Sequence, residues 1–175
     1  MLLWGSLATA AAGYAALCSA DTDPGPHVIG EQRVDVALPH ANTAMANLLS
    51  QCYAIIFGYQ TAIAYLTSAR ADAARDRLAD YRGLRDRLAA RLGDQKVAIP
   101  TAHAAYQLPV QPKSDTTATR LIGLMETRML PYLGQWLATV DADGRSTVLG
   151  LLTSGAGYDL GWSPTVNVWP GYPTA

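Results

Sequence analysis

The sequence is poor in the residues that build disulfide scaffolds, zinc sites and nucleic-acid surfaces. Only two of its 175 residues are cysteine, Cys18 and Cys52, which is too few for a disulfide framework. It contains no Cys-x-x-Cys pair, so the usual zinc and redox motifs are excluded. Charged residues make up 15% of the chain and the net charge is −1, so the long-range field is weak and no nucleic-acid partner is expected.

Histidine and phenylalanine are also scarce. The three histidines, His27, His40 and His103, stand in Pro-rich or polar stretches and are predicted to be solvated loop residues. One phenylalanine among many alanines and leucines favours helix over strand. The chain has no glycine-rich phosphate loop, no nucleophile elbow and no strand alternation that would compete with an all-α prediction.

The N-terminus is an apolar run from Leu2 to Leu17. It is shorter than the roughly 20 residues of a membrane span, and it matches the apolar core of a secretory signal. Alternative interpretations make Cys18 a lipid-modified cysteine or retain the run as a membrane anchor. We predict that residues 1–20 are a signal peptide or membrane anchor that adds nothing to the core. Residues 21–40 are then an extended tether to a domain over residues 41–175.

Apolar residues in that domain recur at three- and four-residue spacing, which predicts helices. The short connections after the first and third helices predict antiparallel hairpins, and the long connection after the second predicts a crossover. Gly93 is predicted to cap the second helix, and Pro131 to kink the third near Thr127. The tail after the fourth helix is expected to lie as an extended strap. The predicted helices span residues 42–66, 69–92, 115–140 and 145–160, with the crossover over residues 94–113.

The chain's dense charge lies between Arg70 and Arg91, where arginine alternates with aspartate. We interpret it as a solvated helix face with local ion pairs, and the alternative is an anion-binding patch. Cys52 lies on the predicted buried face of the first helix and is expected to be a small core residue. The order of hairpin, long crossover and hairpin predicts a ferritin-like four-helix bundle.

Several ordered segments resemble an uncharacterised ferritin-like domain of exported or envelope-associated actinobacterial proteins. None of them is a catalytic signature, but their order and spacing together are specific. They cover about residues 43–173: the block from Leu48 to Tyr59, Tyr81-Arg-Gly-Leu-Arg-Asp-Arg-Leu, Ala105-Tyr-Gln-Leu-Pro109, Leu124-Met-Glu126 and Trp169-Pro-Gly-Tyr-Pro.

The resemblance implies a metal site that has lost its ligands. Ferritin-like sites take a Glu from each of two helices and a Glu-x-x-His pair from each of the others. This chain has Gln51 where more ferritin-like members carry Glu and Tyr81 where they carry His, while Glu126 remains and Asp159 lies near the fourth position. We predict that these four residues converge as a vestigial polar cluster. Tyr81 and Gln51 would donate to Glu126, with no metal and no cofactor.

These features predict a non-catalytic module outside the cytoplasmic membrane, a structural or protein-interaction subunit with a protein partner in the cell envelope. Membrane attachment would be through the N-terminus. The enzyme alternative is a ferritin-like metal oxidase or storage protein that uses Glu126 and Asp159. A further alternative is a lipid- or small-ligand-binding bundle, opened by Pro131 and the glycines of the fourth helix.

Overall fold

The computed structural model describes residues 1–19, 28–29, 37–163 and 165–172, and it is helical. The one extended pairing in those residues is a two-residue parallel pair of strands, Val28–Ile29 with Thr165–Val166. The four helices predicted for the body are present, each with ends within three residues of the predicted ones. The elements are α1 (Leu2–Ser19), β1 (Val28–Ile29), α2 (Ala41–Ile63), α3 (Ser68–Asp94), α4 (Asp115–Thr139), α5 (Arg145–Trp162) and β2 (Thr165–Val166).

The chain divides into two compact units. One is Asn42–Met125, which holds α2, α3, the crossover and the first part of α4. The other combines Met1–Ala41 with Glu126–Ala175 and holds α1, the rest of α4, and α5. The apolar positions predicted to face inward in α4, from Leu121 to Val140, are buried.

Helices α2 and α3 form an antiparallel hairpin. Cys52, at the middle of α2, lies near the positive charge of Arg85 in the second half of α3. Tyr59, further along α2, packs its ring 5.9 Å from that of Tyr81, which comes before Arg85 in α3. This reversed order is what antiparallel helices produce, and the short link between Ile63 and Ser68 requires it.

The connection from α3 to α4 is the predicted long crossover. The backbone N–H of Thr67, at the start of α3, donates to Asp115 Oδ1 at the start of α4 at 2.9 Å. Arg70 Nη1 binds the other oxygen of the same carboxylate, also at 2.9 Å. Because the two helices begin at the same end, residues 95–114 must return along the length of α3. The predicted crossover is therefore confirmed.

The end of α3 differs from the prediction, because Gly93 lies inside the helix. The chain leaves the helix at Lys96, which takes a left-handed φ of 56°. The N–H of Lys96 donates to the Gly93 carbonyl, and that of Val97 donates to the Leu92 carbonyl. These two bonds form a Schellman cap, which sequence alone would place on a glycine. A lysine at this position carries a steric cost that glycine would avoid.

In the other unit, α4 and α5 form the second predicted antiparallel hairpin. Thr127 of α4 donates to Asp159, near the end of α5, at 2.6 Å. Further along α4, Leu137 approaches Gly5 of α1 together with Leu149, which is early in α5. The order is again reversed, as the tight turn after α4 requires. Helix α4 continues through Pro131.

Helix α1 packs on α5, which corrects the prediction that residues 1–20 add nothing to the core. Thr9 and Thr153 hydroxyls lie 3.2 Å apart. Gly5 lies where a Cβ would overlap the Leu137 side chain and approach Leu149, so glycine permits this close packing. Ser6 and Thr9 are fully buried in this unit. In the described residues, no helix is both long and apolar enough to cross a membrane.

The C-terminal strap, residues 167–172, packs on α4. Gly171 adopts a φ of 95°, which favours glycine, and its backbone lies against Gly134. A Cβ on Gly134 would overlap the Gly171 carbonyl oxygen. Tyr172 is buried, and its ring meets that of Trp169 edge-on at 6.4 Å. These residues contact α4, but they form a turn from Trp169 to Tyr172 and not the extended segment that was predicted.

Candidate functional site

Two carboxylates are buried in the α4–α5 hairpin. Glu126 is 0% exposed and Asp159 is 2% exposed. Both occupy positions that the sequence places on the inward helix faces, and the structure confirms that both are buried. Thr127 Oγ1 donates to Asp159 Oδ1, a bond between the two helices that the sequence analysis missed. Buried carboxylates need such partners, since an isolated charge is costly in an apolar interior.

The environment of Asp159 favours its protonated form. Burial raises the pKa of this carboxyl from 3.8 to about 6, against the lowering effect of the Thr127 hydrogen bond. The negative charge of Glu126 raises the pKa of Asp159 further. Glu126 therefore lies close enough to Asp159 to affect the ionisation of Asp159.

Tyr81 occupies the position where the resemblance implies a histidine, and its partner is a cation. Arg77 Nη2 donates to the Tyr81 hydroxyl at 3.0 Å, and the guanidinium lies 4.4 Å from the centre of the Tyr81 ring. Arg77 is 6% exposed, although Asp80, which it approaches at 3.8 Å, is exposed. The prediction of a solvated face for this arginine-rich segment is therefore wrong at Arg77.

A signal for Arg77 was present in the sequence. It lies four residues before Tyr81 and three after Ala74, so it falls on the buried stripe of α3. Charge alone assigned it to solvent, whereas helical position assigns it to the core. The hydrogen bond of Thr127 was harder to predict, because the sequence does not show that Asp159, 32 residues away, lies next to it.

Gln51 and Cys52 lie side by side on α2 in different environments. Gln51 is half-buried, while Cys52 is fully buried, as predicted for a small core residue. Burial raises the pKa of the Cys52 thiol to about 12, despite the opposing positive charges of Arg85, Arg77 and Arg87. A thiol with this pKa is unreactive at neutral pH, because the thiolate is the nucleophile and the metal ligand.

The groups present do not fit a pair of ferritin-type metal ions. Such ions need several carboxylates and imidazoles in one shell. The described residues contain no group of three or more His, Cys, Asp or Glu side chains placed to hold a metal. His40 and His103 are exposed, as predicted, and His27 lies outside the described residues. Convergence of Gln51 and Tyr81 with the two carboxylates stays a prediction.

Comparison with known proteins gives a structural relative of unassigned function. A conserved hypothetical protein, rv2844, from Mycobacterium tuberculosis has a crystal structure that matches with a TM-score of 0.66 and 29% sequence identity. The match covers 70% of this chain and 93% of that one. No curated protein matches the chain.

A family model matches residues 44–174, which include α2 to α5 and the strap. The resemblance inferred from the sequence to an uncharacterised domain family is thereby confirmed, and the mycobacterial relative agrees with an actinobacterial distribution. The chain belongs to the family described as Domain of unknown function (DUF4439).

Proposed function

We propose that this chain is a non-catalytic, ferritin-like module of the cell envelope with a degenerate metal site. The observation that carries the proposal is the Arg77–Tyr81 hydrogen bond. At the position where a metal ligand is implied, a phenol oxygen accepts from a buried guanidinium. A cation beside a ligand position opposes the binding of a second cation.

Charge balance supports the loss of metal chemistry. A pair of divalent ions brings about four positive charges into a low-dielectric interior, and several carboxylates must neutralise them. Glu126 and Asp159 are the two buried acidic residues of the described chain. Together they supply at most two negative charges, which is fewer than the roughly four positive charges of such a metal pair.

The ferritin-like arrangement itself is part of the proposal. Two antiparallel hairpins joined by a long crossover support it, because this connectivity distinguishes ferritin-like bundles from simple up-and-down ones. The predicted cluster of Gln51, Tyr81, Glu126 and Asp159 is part of the proposal, and a double-mutant cycle of Tyr81→Phe with Glu126→Gln tests it. An interaction free energy of at least about 0.5 kcal/mol supports it, and additivity within about 0.3 kcal/mol refutes it.

A metal-binding oxidase or storage protein is the second candidate, and the burial of Glu126 and Asp159 in the same α4–α5 hairpin favours it. Two carboxylates near each other could share one cation. Elemental analysis of protein purified without chelator separates the two functions, with Glu126→Gln as the matched variant. We expect no stoichiometric metal in either protein. Iron or manganese at one equivalent, lost in the variant, would establish the second candidate.

The envelope location and the protein partner are also proposals. The apolar α1 supports export or attachment, since it carries no charged residue. Protease treatment of intact and lysed cells tests the location: a chain protected from protease until the cytoplasmic membrane is broken would be internal.

Labelling with a fatty acid, with Cys18→Ser as control, tests lipid modification. Crosslinked capture from envelope membranes tests the partner, and native mass spectrometry of the purified chain tests the lipid- or ligand-binding alternative.

A further inference from the structure

The N-terminal helix α1 has an inverted distribution of polarity. Apart from Leu2, which is buried near the strap, its buried side consists of small and polar residues, and Ser6 and Thr9 are 0% and 1% exposed. Its outward side carries large apolar residues. Trp4 is 73% exposed, and Leu3, Leu7 and Tyr14 are between 38% and 42% exposed. A helix on a water-facing surface has the opposite pattern, with its apolar residues against the core.

The contact between α1 and α5 resembles helix packing in an apolar medium. The two helices run in the same direction, since Gly5 approaches Leu149, Thr9 approaches Thr153, and Gly13 approaches Leu160. Glycine allows the close approach, and the Thr9–Thr153 hydroxyl pair joins the helices. Small residues at the interface and hydrogen bonds between helices are the features of association in lipid, where apolar side chains face outward.

In the described residues, the helix next to α1 also carries little charge. Helix α5 has two charged residues, Arg145 at its first position and the buried Asp159. The outward side of α5 between them includes small residues such as Gly150 and Gly157, with nothing within 4 Å of the space a Cβ would fill. This side of α5 complements hydrocarbon, and between those two residues it offers no ion-pair partner to a water-soluble protein.

We propose that the outward side of α1, formed by Leu3, Trp4, Leu7 and Tyr14, lies in the acyl region of a lipid bilayer while α1 stays docked on α5. This deepens the membrane attachment in the proposed function and rests on it. The helix then lies along the membrane and does not cross it. It holds α5 next to the membrane, and Trp4, the most exposed of these side chains, inserts furthest.

Flotation with phosphatidylcholine vesicles tests this proposed binding of α1 to a bilayer. The full 175-residue chain is made by cell-free synthesis without membranes, so that no protease processes the N-terminus. We expect the parent to float with the vesicles. The double variant Trp4→Asp, Leu7→Asp should lose at least about tenfold in partition coefficient, because each side chain contributes a hydrophobic transfer free energy. The matched control is Tyr65→Asp, Ile99→Asp, two exposed apolar residues elsewhere, and it should float like the parent.

Two further measurements test insertion and docking. Brominated phosphatidylcholine should quench the parent's tryptophan fluorescence, and the quenching should fall sharply in Trp4→Phe. Thr9→Cys with Thr153→Cys, in a background of Cys18→Ser and Cys52→Ser, can lock α1 onto α5, because the two hydroxyls lie 3.2 Å apart. The oxidised, locked protein should float like its reduced form.

Several results would overturn the inference. The parent could fail to float, or it could float only when the vesicles contain an anionic lipid. Equal loss in the Tyr65 and Ile99 control would show a general effect of added charge. Loss of flotation when the disulfide forms on oxidation would show that α1 must leave α5 in order to bind the vesicles. Self-association that depends on Trp4 and Leu7, without flotation, would make a second copy the occupant. None of these results depends on metal content, so failure here is distinguishable from failure of the degenerate-site proposal.

Discussion

Replacing Asp159 by Asn should stabilise this protein at neutral pH. Asp159 is 2% exposed, and burial raises its pKa from 3.8 to about 6. Above pH 6 the folded protein must hold a charged carboxylate that the interior disfavours. Asparagine keeps the shape and the oxygen that accepts from Thr127, but it carries no charge.

The sign of the pH dependence follows from proton binding. Between pH 4 and 6 the folded state holds the Asp159 proton more tightly than the unfolded state does. The free energy of unfolding from this group therefore falls as pH rises through that window, and it is constant above the window. The pKa difference corresponds to about 3 kcal/mol. This is opposite in sign to the usual ion-paired carboxylate, whose stabilisation is lost as pH falls.

Urea unfolding across pH 3.5 to 8 measures the effect as the difference between Asp159→Asn and the parent. We expect a difference near zero at pH 3.5 that grows to about 3 kcal/mol in favour of the variant above pH 6.5. Asp76→Asn is the matched control, because Asp76 is exposed and the change should stay within about 0.5 kcal/mol. Thr127→Val should move the window to higher pH, since it removes the bond that lowers the Asp159 pKa. A difference that does not change with pH would refute the reasoning.

Three further pairs of substitutions test other parts of the structure by the same unfolding measurement. Glu126→Gln should be nearly neutral, whereas Glu126→Ala should cost about 1–3 kcal/mol by leaving partner groups and a cavity; equal costs would contradict this. Gly134→Ala should cost about 1–3 kcal/mol, because its Cβ would overlap the strap, while Gly150→Ala, in open space, should gain up to about 1 kcal/mol; similar effects would contradict the strap contact. Lys96→Gly should gain about 0.5–1 kcal/mol by relieving the left-handed φ, and Lys113→Gly should not; equal effects would refute the cap assignment.

Periodicity and connection length predicted most of the helical architecture. The apolar residues of α3 at three- and four-residue spacing, from Ala74 to Leu92, are buried, because burial of such a face follows from spacing alone. The misses occurred where composition was used in place of position. Arg77 was assigned to solvent by its charge, and Gly93 was assigned to a cap by its residue type. The helical position of Arg77, on the buried face of α3, predicts its burial. The residue that caps α3 depends instead on where the crossover forces the backbone into a left-handed conformation, which the residue type of Gly93 does not reveal.

The N-terminal segment shows a different limit of sequence analysis. Its hydrophobicity predicted a separate signal or anchor, because an apolar run has no helical period that marks one face for burial. The contact between α1 and α5 depends on small residues. Gly5 can be recognised as a contact residue only once Leu137 and Leu149 are known to approach it. Which side of such a helix is buried is therefore fixed by close backbone approach and not by hydrophobicity.

Two buried polar groups of this chain accept hydrogen bonds from neighbouring side chains. Removing a metal from a ligand shell leaves oxygen atoms that must find other donors, since an orphaned buried group costs about 1–3 kcal/mol. In α3 the phenol of Tyr81 accepts from Arg77, and in the α4–α5 hairpin the carboxylate of Asp159 accepts from Thr127. Each of these bonds joins two side chains of the same unit. If the proposed degenerate site is right, restoring one ligand would not be enough for metal binding, because Arg77 would remain as a buried cation beside that ligand position.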